Sequence, residues 1–190
     1  LGTHALDQRQ AHALREIYLK GLGEFAWHHE LSLGDRLRFE ANLPTENATP
    51  HANQVGVGEA LLLPLGGGKD SVVAWQRLFS RIGHEQIMGV QVGTSPLIRS
   101  LGEWMVSEGY LQTHWVIERV LDPSLTQLNK QGAMNGHVPI TAINAAVLTV
   151  FALVIGARGV CFSNERSADE PTLISNSGQP VNHQYSKSFE

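Results

Sequence analysis

One cysteine in 190 residues, Cys161, excludes an internal disulfide and fits a reducing compartment. Basic residues are also scarce. There are 14 Lys and Arg against 18 Asp and Glu, a net charge of −4, which leaves no electrostatic case for a nucleic-acid partner. The longest apolar run, Ala145 to Ala157, is broken by Thr149 and is too short to span a bilayer. No charged-then-apolar signal peptide opens the chain, so no membrane partner is expected. Leu1 is not an initiator methionine and Glu190 closes a polar stretch, so the chain reads as a fragment of a longer protein. Its length suffices for one domain with a full core and a small appendage.

What is present is organised around residues 59–75. There Glu-Ala-Leu-Leu-Leu-Pro-Leu is followed by Gly66, Gly67 and Gly68, then by Lys69, Asp70 and Ser71 opening a helical pattern. An apolar run, three glycines and an amphipathic run read as strand, tight loop and helix. Glycine lets the backbone take positive φ and approach a ligand, and the free amides of the helix start face a phosphate. Lys69 adds a point charge, Ser71 a hydroxyl, and Asp70 a carboxylate able to hold a magnesium ion that bridges phosphates.

Two other phosphate loops fail on spacing. A Walker A loop needs Ser or Thr directly after Gly-Lys, where Asp70 stands, and the dinucleotide fingerprint needs a third glycine where Ser71 stands. The stretch resembles the Ser-Gly-Gly-x-Asp-Ser loop of the PP-loop ATP pyrophosphatases, with Gly66 replacing the first serine and its phosphate-directed hydroxyl. An ordinary glycine-rich turn is the plainer alternative, and Lys-Asp-Ser in register after the glycines favours the nucleotide.

Along the chain, residues 4–20 form an amphipathic helix. Phe25 to Trp27 and Arg36 to Phe39 read as short strands joined through Leu33-Gly34-Asp35 in a hairpin. Residues 44–58, with Pro44, Pro50, Gly56 and Gly58, form a linker. These 58 residues make an N-terminal appendage, and 59–190 the catalytic domain. After the loop come a helix over 72–82 stopped by Gly83, a strand over 87–92, and a helix from Pro96 to about Glu108. A strand over 114–118 and an irregular stretch over 121–136 follow. A buried crossover helix over 139–155 and a strand over 159–163, with Cys161 in its middle, complete the pattern. Strands alternating with helices imply an α/β fold, a parallel sheet with helices on both faces.

Ligands of such sheets lie off the carboxyl ends of the strands. That rule selects Gly66 to Ser71, Gln91 to Ser95 with Gln91 and Gly93 as cofactor-binding candidates, and Ser163 to Ser167. Glu165 is suited to act as base or metal ligand, and Arg166 to hold a carboxylate or phosphate in a bidentate grip. The same stretch reads equally as a solvated loop. His137, near the start of the apolar helix, and His183, in a polar segment with Lys187, are candidate proton carriers, with a structural cap and a surface tail as the plain alternatives.

Four segments taken together extend the resemblance: Leu65 to Ser71, Asn135-Gly-His-Val-Pro-Ile-Thr-Ala142, Phe162-Ser-Asn-Glu-Arg-Ser-Ala168, and Asn182-His-Gln-Tyr-Ser-Lys-Ser188. Over residues 59–190 the chain resembles the UDP-N-acetyl-α-D-muramoyl-L-alanyl-L-glutamate epimerase family (MurL) of bacterial peptidoglycan synthesis. The resemblance implies a cytoplasmic enzyme that inverts the terminal L-glutamate of the nucleotide-linked dipeptide to D-glutamate. ATP and magnesium would be consumed, with AMP and diphosphate released.

The chemistry agrees with the loop. Removing the α-proton beside a free carboxylate places two negative charges together, whereas adenylation neutralises that carboxylate and makes it an electron-withdrawing acyl group. Gly67, Gly68, Lys69 and Ser71 would hold the departing phosphates, Asp70 the magnesium, and Arg166 the glutamate. Glu165, His137 or His183 would carry the proton. A PP-loop ligase or RNA-modifying enzyme, and an ATP-binding module without turnover, are the alternatives.

Overall fold

The computed structural model describes residues 5–44, 58–175, 178 and 180–188; most of the expected 44–58 linker, including Pro50 and Gly56, lies outside the described residues. The chain divides into two compact units. One comprises Leu1–His51, Thr126–Ile143 and Arg166–Glu190, and the other Ala52–Leu125 and Asn144–Glu165.

The first unit opens with α1 (Gln8–Gly21), whose start is set by a capping box. The Asp7 carboxylate accepts from the Gln10 amide N–H and the Gln10 side chain returns the bond to Asp7. A second helix, α2 (Gly23–His28), follows at once. The expected hairpin is therefore not formed. Phe25 to Trp27 is helical, with the Ala26 N–H bonded to the Leu22 carbonyl, and Leu33 starts a turn without flanking strands. The alternation of Phe25 and Trp27 is too short to specify period two, and their rings pack instead against His29 in a tilted pair and His28 edge-on.

The second unit carries the sheet. Strand β1 (Leu61–Pro64) leads into α3 (Lys69–Ile82), β2 (Ile87–Val92) into α4 (Pro96–Ser107), and β3 (Thr113–Ile117) follows. A short helix α5 (Ser124–Lys130) stands where an irregular stretch was expected. Then come α6 (Ile140–Val154) and β4 (Gly159–Val160). The order is β3-β2-β1-β4, all parallel, with Leu61 opposite Ile87 on one side and Gly159 on the other. In the first unit β5 (Leu173–Ile174) and β6 (Pro180–Val181) form a small antiparallel pair.

Alternation along the strands sends side chains to two cores. Leu62 and Val90 pack with Leu148 and Ala152 of α6, while Leu63 and Ile87 pack with Met105 of α4 and the inner face of α3. Helices thus cover both faces of a parallel sheet. Each fully buried leucine contributes about 1.5–3 kcal/mol. Two expectations need correction. Helix α6 buries only Leu148 and Ala152, and Val150 and Val154 on its outer side are 61% and 77% exposed. Strand β4 ends at Val160, so Cys161 follows the strand instead of lying within it.

The α4 helix meets β3 closely. A Cβ at Gly102 would lie 2.4 Å from the His114 ring, so only glycine admits the histidine there. Buried in that contact, the His114 Nε2 has no hydrogen-bond partner among the described residues. Burial pushes the His114 pKa below its ordinary 6.5; Glu103 opposes the shift and Arg99 adds to it. Below 6.5 the unfolded chain binds more protons than the folded one, so this contribution to stability is whole above 6.5 and is lost as pH falls. In denaturant titrations, His114→Gln should flatten the loss of stability between neutral and mildly acid pH, by at most about 1.4 kcal/mol per pH unit. Equal slopes in the two proteins would refute the assignment.

Candidate functional site

Chain connectivity reverses direction between β1 and β4, which makes the crevice at their carboxyl ends the switch point of the sheet. The phosphate-type loop stands there. Gly67 has φ of +75°, a conformation that disfavours any side chain, and a Cβ on it would approach Ile98 to 3.1 Å. At Gly66 and Gly68 a Cβ would meet nothing within 4 Å, so the space above the loop is open. Gly68 is the N-cap of α3 and, having no side chain, makes no capping hydrogen bond of its own at the positive end of a 14-residue helix. The donor set and the open cradle fit a phosphate group.

Lys69 is exposed at the first helical position, and Asp70 is half-buried behind it. Ser71 is 4% exposed and its hydroxyl donates to the Gly68 carbonyl at 2.9 Å, so it braces the loop from beneath. Gln91 is buried under the next loop. Its amide donates to the Gly93 carbonyl at 2.9 Å and the Ser95 carbonyl at 3.3 Å, and its Oε1 has no partner among the described residues. Gly93, with φ of +104°, turns the chain from β2 toward α4.

Beside the loop lies a cavity of about 410 Å³. Helix α3 contributes Asp70, Val73, Ala74, Arg77, Leu78 and Arg81, and the segment after β4 contributes Cys161 to Glu165. The structure thus brings Asp70 and Glu165 onto one cavity, as the strand-end rule anticipates. Burial pushes the Cys161 thiol up from its ordinary range, which suits a packing role and not a nucleophile. Arg77 and Arg81 were not singled out from the sequence. Their spacing from Asp70, seven and eleven residues along one helix, carried the signal once that helix was placed.

The other candidates belong to the first unit. His137 Nδ1 is 3.8 Å from Glu24 Oε2, and the same carboxylate group lies 3.7 Å from His28 Nε2. His183 Nδ1 is 2.6 Å from the Thr172 hydroxyl and its Nε2 is 3.1 Å from the Gln184 amide. Arg166 is exposed at the head of a 3₁₀ turn, Arg166–Asp169. Among the described residues no group of three or more His, Cys, Asp or Glu is placed to hold a metal ion. Magnesium needs no such cage, since one or two carboxylates with phosphate oxygens and water suffice. No helix of the described residues is long and apolar enough to cross a membrane.

Comparison with known proteins gives a consistent result. The family described as the MurL N-terminal domain matches residues 1–190. The chain is 39% identical over 189 residues to a UDP-N-acetyl-α-D-muramoyl-L-alanyl-L-glutamate epimerase of Xanthomonas oryzae pv. oryzae, covering 100% of the chain and 40% of that protein. Proteins of the same name from Salinispora tropica and a Micromonospora species are 37% and 33% identical, with 92% and 97% of the chain covered and 36% and 39% of those proteins. The chain therefore spans about two fifths of the length of these relatives. No solved structure matches it.

The loop geometry separates two glycines. Gly67→Ala should cost about 1–2 kcal/mol in a thermal or denaturant melt, because a left-handed residue acquires a Cβ. Gly66→Ala, with open space at its Cβ position, should stay within about 0.5 kcal/mol of the parent; equal losses at the two positions would contradict the loop conformation.

Proposed function

The chain belongs to the MurL family through its N-terminal domain, and on that premise we propose that the polypeptide containing it is an ATP-dependent epimerase. It inverts the terminal L-glutamate of UDP-MurNAc-L-Ala-L-Glu in peptidoglycan precursor synthesis, releasing AMP and diphosphate. The observation that supports this reading is the juxtaposition at the switch point. An open glycine loop at a helix start carries Asp70 onto the same cavity as Glu165.

Each residue has a task that its position allows. The amides following Gly67 and Gly68, with Lys69, hold phosphate oxygens, and Ser71 keeps the loop in shape. Asp70, in the first turn of α3, would hold a magnesium ion that offsets the phosphate charge. ATP supplies the adenylyl group that masks the substrate carboxylate, so that the α-proton becomes acidic enough for a carboxylate base. Glu165 is that base in our reading, because it lines the cavity. His137 and His183 are the alternative proton carriers, and Arg166 the group proposed to hold the glutamate.

Substitution separates activation from inversion. With ATP, magnesium and the nucleotide-linked dipeptide, Asp70→Asn in the full-length polypeptide should lower AMP formation by at least about a hundredfold. Glu165→Gln should still form AMP but fail to yield D-glutamate. Normal AMP production by Asp70→Asn, or undiminished inversion by Glu165→Gln, would defeat the respective assignment.

A further inference from the structure

The cavity beside α3 holds two cations that the reading above does not use. Arg77 and Arg81 are exposed and line it one turn apart. Neither makes an ion pair among the described residues, whereas Arg15 and Arg99 lie within 4 Å of Glu16 and Glu118. In a chain where acidic residues outnumber basic ones 18 to 14, two like charges at adjacent turns have no carboxylate within ion-pair distance among the described residues. Placed at i and i+4 they repel each other mildly, so nothing in the helix itself favours the pair.

Position decides what they can meet. Seven residues of helix put Arg77 about 10 Å from Asp70 along the axis, and Arg81 about 6 Å further. That is beyond a phosphate seated on the glycine loop. The rest of the lining mixes apolar Val73, Leu78 and Phe162 with polar Ser163 and Asn164. Along α3 the lining therefore runs from the Asp70 carboxylate at the loop to the two guanidinium groups away from it, with Glu165 contributed by the segment after β4. At about 410 Å³ it falls within the range of small-molecule sites.

We infer that Arg77 and Arg81 form an oxyanion clamp for the acceptor substrate, gripping a carboxylate or phosphate of that molecule and not the phosphates of ATP. The inference rests on the proposed epimerase reading for the identity of the substrate. A planar guanidinium can take either oxyanion in a bidentate grip.

The test uses the full-length polypeptide and its Arg77→Gln/Arg81→Gln double variant. Calorimetric titration is done with the nucleotide-linked dipeptide, with UDP alone, with L-alanyl-L-glutamate alone, and with ATP. The double variant should bind the nucleotide-linked dipeptide about tenfold to a hundredfold more weakly, from loss of charged hydrogen bonds. Its ATP affinity and melting midpoint should be unchanged. Loss of UDP binding would identify a phosphate as the gripped group, and loss of dipeptide binding a carboxylate. Arg77→Lys should recover only part of the affinity, since it restores charge without the fork. Unchanged affinity for all three substrate probes overturns the clamp. Failure of the parent protein to bind ATP would instead strike the nucleotide reading, and Arg-dependent binding of a substrate probe would still uphold the clamp.

Discussion

Parallel pairing on both sides of one short strand governs the second unit. Leu61–Pro64 bonds to β2 along its whole length and to β4 over two residues, and Leu62 and Leu63 are fully buried against opposite cores. A strand held in this way cannot shift register without turning both leucines to the wrong face. Its carboxyl end is therefore fixed, and with it the loop that follows. The Leu65 N–H, bonded to the Val90 carbonyl at 2.7 Å, extends the order to the residue before the first glycine. From there Gly67 in left-handed geometry turns the chain into α3.

The same constraint produces the cavity. Because the connections leave β1 toward one side and reach β4 from the other, the space between α3 and residues 161–165 is walled and not filled. Its two carboxylates come from segments separated by nearly half the chain, and only the β1–β4 pairing brings them together. Gln91 does comparable work one strand away. By donating to the Gly93 and Ser95 carbonyls it holds the loop from which α4 sets out, and α4 places Ile98 against Gly67. The loop shape thus depends on a buried amide at a second strand end as well as on its own glycines.

The sequence was legible where pattern and punctuation agreed. Ile87 to Val92 is a strand bounded by a turn and a glycine, and the helix opened by Lys69 ends at Gly83, whose φ is +74°. It misled where a segment was too short to show a period. Phe25-Ala-Trp27 alternates like a strand but continues a helical path from α1, and the six residues of α2 hold too few turns for a 3.6-residue period to be visible. The polar α5 has no apolar stripe to announce it. The apolar character of α6 identified a helix but could not say how much of it is covered. At the site, residue types and strand ends were readable one at a time. The arginines of α3 became visible only with the cavity, since a cation on an amphipathic helix reads first as a solvated face.

In the proposed reaction, activation of a carboxylate at the β1–α3 loop precedes and permits removal of the neighbouring proton. Solvent deuterium incorporation at the glutamate α-carbon, followed by mass spectrometry in the full-length polypeptide, tests this most directly. Deuterium should enter only when ATP and magnesium are present, and Asp70→Asn should abolish the exchange. Equally fast exchange without ATP would show that the α-proton leaves while the neighbouring carboxylate is still free, which contradicts prior activation.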